Sequence, residues 1–190
     1  MNKKSFVQLL LPFLGVLLAI IVMILPVASA YSGDFSSIHI VTNPAYAYIF
    51  GGTVTAKGSS VDFTKTMQVN LFRASPIALA SWILLLLGLL CGVSAIVVRF
   101  VKTNNDAFVS LLAVSAVLMI AGGITAFCVM DSLVVCEVQN GSSATPEAIK
   151  SWKESNNVKL GFGFVGTGVF ALISGLVLGA GATILRLKKD

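Results

Sequence analysis

Residues Ser37–Phe72, SIHIVTNPAYAYIFGGTVTAKGSSVDFTKTMQVNLF, form the one long segment of this chain with the composition of β-strands. From Val61 to Leu71, apolar and polar residues alternate, with Lys65 as the one break. A period of two is typical of a strand that buries one face. The sequence therefore predicts a strand whose buried face consists of Val61, Phe63, Met67, Val69 and Leu71.

Gly51-Gly52 lies between two shorter segments with strand character, 46–50 and 53–57. A glycine pair supplies the positive φ angles that a two-residue hairpin turn needs. A hairpin centred there would align Tyr46, Tyr48 and Phe50 on one strand face. Exposed aromatic residues often anchor protein interfaces, so we predict this row as a binding surface. The alternative is that the row packs against the rest of the sheet or on lipid.

The composition is that of a membrane protein. Of the 190 residues, 56% are hydrophobic and only 11% are charged, far from the averages of soluble domains. A helix of about 20 apolar residues crosses a hydrocarbon core of about 30 Å. We predict one membrane domain, a four-helix transmembrane bundle with a small extracytoplasmic antiparallel β-sheet. Its helices are expected at about 6–30, 76–99, 107–130 and 160–186.

Two longer connections join these spans. The first, 31–75, carries the predicted sheet, and Ser75 and Pro76 suit the N-cap and first position of the second helix. The second connection, 131–159, is expected to hold a strand at 133–138 and a short helix at 146–155.

Ala28-Ser29-Ala30 is an A-x-A pattern that a signal peptidase could cut. The apolar run before it is longer than the region of about 7 to 15 residues in a signal peptide. We therefore expect a retained span, with cleavage as the alternative.

Glycines at helical spacing predict close packing between the spans. Gly161, Gly163 and Gly166 formally match a dinucleotide-binding fingerprint, but that motif requires a βαβ unit and here it opens a membrane span. Small residues instead let helix backbones approach closely within a bilayer. The predicted packing positions are Gly88, Gly92, Gly166, Gly168, Gly175 and Gly179.

The distribution of charge predicts the orientation. The two termini and the hinge 99–106 hold seven Lys and Arg against two Asp, whereas charges in the two long connections cancel. The positive-inside rule then places both termini in the cytoplasm of a multi-pass plasma-membrane protein, with both long connections outside. Attraction to anionic lipid accounts for the net charge of +5, so no nucleic-acid partner is needed.

Groups that carry chemistry are scarce. The apolar runs of the four spans, 6–30, 77–98, 107–130 and 160–185, contain no Asp, Glu, Lys, Arg or His, which ion pathways and proton relays usually require. His39 is the only histidine, and no zinc-ligand spacing is present. We expect no enzyme activity, cofactor or metal; a catalytic site would require convergence of groups such as Asp34, His39 and Asp62. Hydroxyl groups within the spans are expected to bond their own helix or a neighbouring one.

The layout of four spans, cytoplasmic termini and a sheet-bearing first outer segment resembles the claudin-like tetraspan proteins. That family carries Trp, Gly-Leu-Trp and two Cys in its first outer segment, whereas Ser37–Phe72 contains neither Trp nor Cys. The resemblance therefore transfers no pore or junction residues to this chain.

The favoured function is a non-enzymatic membrane protein whose outer β-sheet mediates protein–protein or self-association. The expected partners are the bilayer and either another protein or further copies of the chain, through the sheet or the glycine-rich helix faces. The alternative is an oligomeric channel or an accessory subunit of a transporter.

Overall fold

The computed structural model describes residues 3–32, 38–40, 45–50, 52–58, 67–72, 75–101, 105–129, 151, 154 and 159–187. The chain divides into two compact units, each considered by itself. The helical unit comprises Met1–Ile24, Ala80–Ala126 and Gly166–Asp190. The connecting unit comprises Leu25–Leu79 and Phe127–Val165.

Helices dominate the described part of the chain. They are α1 (Lys3–Ile24), α2 (Tyr46–Phe50), α3 (Pro76–Val101), α4 (Asn105–Phe127) and α5 (Phe162–Leu187). All except α2 are long and apolar enough to cross a membrane. These four helices mark the chain as a multi-pass membrane protein.

The ends of α1 and α3 follow from local sequence. α1 ends at Ile24, short of the predicted residue 30, and a 3-10 turn at Leu25–Val27 follows it. Pro26 explains this end because proline disfavours helical backbone in the residue before it. At α3 the predicted cap is confirmed: the backbone N–H of Ala78 donates to Ser75 Oγ at 3.2 Å, and the helix begins at Pro76.

Neighbouring helices of the helical unit pack antiparallel through glycines. Between α3 and α4, a Cβ built on Gly122 would lie 2.7 Å from Leu85 Cγ, and one on Gly88 would lie 3.0 Å from Met119 Sδ. Each helix thus supplies a gap that a large side chain of the other fills. An added methyl group at Gly122 would overlap Leu85 and force the structure to shift, whereas at Gly88 the flexible Met119 side chain would have to move by a few tenths of an ångström.

The same geometry joins α5 to its two neighbours. A Cβ on Gly175 would lie 2.9 Å from the Ala116 carbonyl oxygen of α4, and one on Gly15 of α1 would lie 2.6 Å from Leu178 Cγ. A Cβ on Gly92 would lie 3.0 Å from Val16 Cγ2, which brings α3 against α1. The four long helices therefore form a closed ring of contacts, α1–α3–α4–α5.

Apolar side chains fill this bundle and also cover its outside. The core includes Val22, Leu85, Leu112, Met119 and Leu178, each at most 1% exposed. Large apolar side chains of all four long helices point outward, including Phe13, Leu90, Val117 and Leu176. A soluble protein rarely exposes such a surface, whereas lipid tails solvate it well.

The strands of the described residues form two antiparallel sheets. β1 (Tyr31–Ser32) pairs with β5 (Lys159–Leu160). The second sheet has the order β2–β3–β4, formed by Ile38–Ile40, Gly52–Gly58 and Met67–Phe72. In this sheet His39 lies opposite Lys57, and Thr55 lies opposite Gln68.

The predicted hairpin about Gly51-Gly52 is wrong. Tyr46–Phe50 forms the helix α2 instead of a strand, so it does not pair with the segment 53–57 across a turn. β3 pairs with β2 and β4, and the predicted strand 53–57 falls within it. The predicted strand over Val61–Leu71 overlaps β4, and residues 61–66 lie outside the described residues. The strand at 133–138 also lies outside them, as does the helix at 146–155 except for residues 151 and 154.

Replacing Gly175 with Ala should destabilise the bundle, because the new methyl group would overlap the Ala116 carbonyl oxygen and Ile120 Cγ1 at 2.9 and 2.6 Å. We expect a loss of about 1–3 kcal/mol in the free energy of unfolding, measured by thermal or denaturant unfolding in detergent micelles. Gly179→Ala is the matched control, since a Cβ there would lie 3.7 Å from Ala116 Cβ, an ordinary contact. Equal stability of the two variants would contradict the close packing of α4 and α5.

Candidate functional site

Helix α2 divides the predicted aromatic row between two sides. Tyr46 and Phe50, one turn apart, are 49% and 57% exposed. Tyr48 is 1% exposed and Ile49 is 2% exposed. The three aromatic residues therefore do not form one surface: about half of the Tyr46 and Phe50 side chains is exposed, whereas Tyr48 belongs to the core of the connecting unit.

Hydrogen bonds join α2 to the segments that begin and end the long helices. The Ala45 N–H donates to the Ala28 carbonyl at 2.9 Å, just beyond the 3-10 turn that follows α1. The Ser75 N–H, at the N-cap of α3, donates to the Tyr48 carbonyl at 2.7 Å. Both bonds use backbone groups, so they fix the path of the chain whatever the side chains.

The start of α5 packs against the same residues. The rings of Tyr48 and Phe164 meet edge to face, with centroids 6.3 Å apart. The Gly163 N–H donates to the Ser29 carbonyl at 2.7 Å, and the Gly161 N–H donates to the Ala30 carbonyl at 2.8 Å. The β1–β5 pairing continues this ladder, with Tyr31 opposite Leu160.

Gly163 is required where these segments meet. A Cβ on this residue would lie 2.6 Å from the Ala28 carbonyl oxygen, 2.7 Å from the Ser29 carbonyl oxygen and 2.9 Å from Ala45 Cβ. The glycine run that resembles a nucleotide-binding motif thus serves close backbone packing. This role of Gly163 was not predicted, because the residues that approach it, Ala28, Ser29 and Ala45, are far away in the sequence.

Buried hydroxyl groups in the helical unit bond neighbouring helices. Three serines donate to glycine carbonyls on another helix: Ser81 to Gly122 at 2.8 Å, Ser115 to Gly88 at 2.6 Å and Ser174 to Gly15 at 2.8 Å. Two threonines bond their own helices four residues back, Thr125 to Ala121 and Thr183 to Gly179. These are the two expected uses of a hydroxyl within a span.

The six glycines predicted for helix packing occupy different environments. Gly88, Gly92 and Gly175 make the close approaches described above, whereas Gly179 makes an ordinary contact. The Gly168 carbonyl lies 3.0 Å from a Cβ built on Gly123, so it faces α4, and Gly166 is buried. Gly15, Gly122 and Gly123 make approaches equally close but were not among the predicted positions, because only their partner helices reveal their role.

Charged and metal-binding groups do not converge in the described part of the chain. No group of three or more His, Cys, Asp or Glu side chains there could hold a metal ion. Of the three groups considered for a catalytic pocket, Asp34 and Asp62 lie outside the described residues, and His39 lies in β2 opposite Lys57.

In the helical unit, the Arg99 guanidinium carbon lies 5.8 Å from the ring centroid of buried Phe108, a cation–π contact.

No protein-family model matches the chain, and no curated protein matches it. The resemblance to claudin-like proteins therefore remains a prediction from the layout of the sequence.

Replacing Tyr48 with Ala should destabilise the protein, because it removes a buried ring packed on Phe164. We expect a loss of about 3 kcal/mol or more in the free energy of unfolding, measured in detergent as for Gly175→Ala. The control is Tyr46→Ala, which truncates a half-exposed ring on the other side of α2 and should change stability little. A larger loss for Tyr46→Ala than for Tyr48→Ala would contradict the helical assignment of Tyr46–Phe50.

Proposed function

We propose that the chain is a non-enzymatic four-span membrane protein whose extracytoplasmic β-sheet binds another protein or a second copy of the chain. The observation that carries this proposal is the position of β4, six residues long, at the edge of the β2–β3–β4 sheet. Among the described residues, β4 pairs with β3 alone. An edge strand presents a row of N–H and C=O groups that an extended segment of a partner can extend as a further strand.

The chemistry of the helical unit supports a role without catalysis. Its buried serines donate to glycine carbonyls, and the surrounding core consists of apolar side chains. Hydroxyl groups used in this way hold helices together and do not act as nucleophiles, since none is paired with a base. The surface that binds a partner is therefore expected on the connecting unit.

A channel or an accessory subunit is the second candidate. A channel within one copy is disfavoured because close helix contacts and large side chains such as Leu85, Met119 and Leu178 fill the bundle. An oligomeric channel would need a pore between copies. An accessory subunit needs only a binding surface, and the β4 edge supplies one under this alternative as well.

The distribution of charge supports a location of the connecting unit outside the cell. Arg99 lies in the last turn of α3 and Arg186 in the last turn of α5, so both mark the same end of their spans. Because α3 and α5 each pack antiparallel to α4, they run in the same direction. The positive-inside rule assigns that end to the cytoplasm, and the connecting unit then belongs on the other side of the plasma membrane.

Reporter fusions in a bacterial host test this orientation. A green fluorescent protein fused after Asp190 should fluoresce, and alkaline phosphatase fused there should be inactive, because the first folds in the cytoplasm and the second outside it. The same reporters fused after Val129, beyond three spans, serve as the control and should give the opposite result. Active phosphatase after Asp190 would contradict the proposed orientation.

Two adjacent proline substitutions test the β4 edge. Successive residues of an antiparallel strand direct their N–H groups to opposite sides, so of Gln68 and Val69 one bonds β3 and the other points outward. Gln68→Pro and Val69→Pro should therefore differ: one weakens the sheet, and the other leaves it stable but removes a donor from the edge. Thermal stability in detergent identifies which is which.

Association is then measured by affinity purification in mild detergent, with the mass of the recovered complex. The stable variant should lose the partner or second copy that the wild type retains. Retention equal to that of the wild type would contradict binding at this edge. Loss of stability in both variants would show that β4 is paired on both sides within the chain, which also overturns the proposal. Recovery of a different membrane protein in fixed ratio would favour the accessory-subunit form.

A further inference from the structure

Helix α2 lies at one level with the ends of three spans. Ala45, directly before it, donates its N–H to the Ala28 carbonyl beyond α1, and the Tyr48 carbonyl accepts the N–H of Ser75 at the N-cap of α3. At the first turn of α5, Tyr48 contacts the Phe164 ring, and Ala45 Cβ lies 2.9 Å from a Cβ built on Gly163. These contacts all belong to the connecting unit. At the membrane surface where α1 ends and where α3 and α5 begin, α2 therefore lies beside these helix ends.

The length of the first span gives the depth. Leu9–Val27, 19 residues that end in the 3-10 turn, covers about 30 Å, which matches the hydrocarbon thickness of about 30 Å. Ala28, whose carbonyl accepts the Ala45 N–H, comes directly after this span. The start of α2 thus falls at the boundary between lipid tails and headgroups.

The side chains that α2 exposes suit this boundary. Tyr46 and Phe50 lie one turn apart on its outer side, while Tyr48 and Ile49 anchor the inner side. Aromatic rings are enriched at membrane–water interfaces, and tyrosine combines an apolar ring with a hydroxyl that reaches water. Exposure of both rings to water alone would be unfavourable, whereas the headgroup layer accommodates both.

We propose that α2 lies in the headgroup layer of the bilayer that the four spans cross, with Tyr46 and Phe50 inserted as aromatic anchors. The occupant of this surface is thus lipid and not a protein partner. This assignment is independent of the β4 edge and of which side of the membrane the connecting unit occupies.

Single-tryptophan variants in lipid nanodiscs test this placement. The native tryptophans are first replaced by Trp82→Phe and Trp152→Phe, and Tyr46→Trp and Phe50→Trp are then made separately in this background. If one of the two variants does not fold, the other still tests the placement. Emission is measured in phosphatidylcholine brominated either close to the headgroup or deep in the acyl chain, and with aqueous iodide. Val117→Trp, 66% exposed near the middle of α4, is the deep reference. N-acetyltryptophanamide in buffer is the aqueous reference.

Headgroup insertion predicts a loss of emission with the shallow bromines that exceeds the loss with the deep ones, together with weaker iodide quenching than that of the aqueous reference. Val117→Trp should show the reverse order for the two lipids. Iodide quenching equal to the aqueous reference, with no response to either lipid, would mean that α2 faces water. Protection from iodide and from both lipids would mean that protein covers the surface. Either result overturns the proposal.

Discussion

The contact on which the helical unit depends is the approach of a neighbouring helix to a glycine. Lipid tails are as apolar as leucine, so no hydrophobic force draws two spans together, and dispersion and hydrogen bonds must do so. Gly15, Gly88 and Gly122 each admit a large side chain from the next helix, and each also accepts a hydrogen bond from a serine through its carbonyl. The two roles coincide because a short hydroxyl reaches a neighbouring backbone only where no side chain separates the helices.

These serine bonds determine register more than they add stability. Interhelical hydrogen bonds in a bilayer contribute only about 0.6 kcal/mol on average, far less than the packing that surrounds them. A helix shifted by one residue would nevertheless lose the hydroxyl–carbonyl bond and place a side chain in the glycine gap at once. Gly163 applies the same steric rule in the connecting unit, where two carbonyl oxygens lie within 2.7 Å of its missing Cβ.

Span positions and the α3 cap were predictable because they depend on local sequence: long apolar runs, and Ser75 followed by Pro76. The error at Tyr46–Phe50 arose because five residues in which aromatic and aliphatic side chains alternate fit a strand and one helical turn equally well. Asn43-Pro44 just before it is a turn signal that interrupts a strand. Hydrogen bonds from Ala45 to Ala28 and from Ser75 to Tyr48 join residues far apart in sequence, which no local pattern reveals.

The three aromatic residues of α2, predicted as one binding surface, lie on two sides of the helix and have different roles. With Tyr48 in the core, its ring can no longer bind a partner, and only Tyr46 and Phe50 of the three predicted residues are exposed. Two exposed rings suit the proposed contact of this short helix with headgroups, where lipid is always present and no partner has to be recruited. The β4 edge needs no aromatic side chains, because recognition by strand addition uses backbone groups. Lipid contact and protein association can therefore occupy separate parts of one connecting unit.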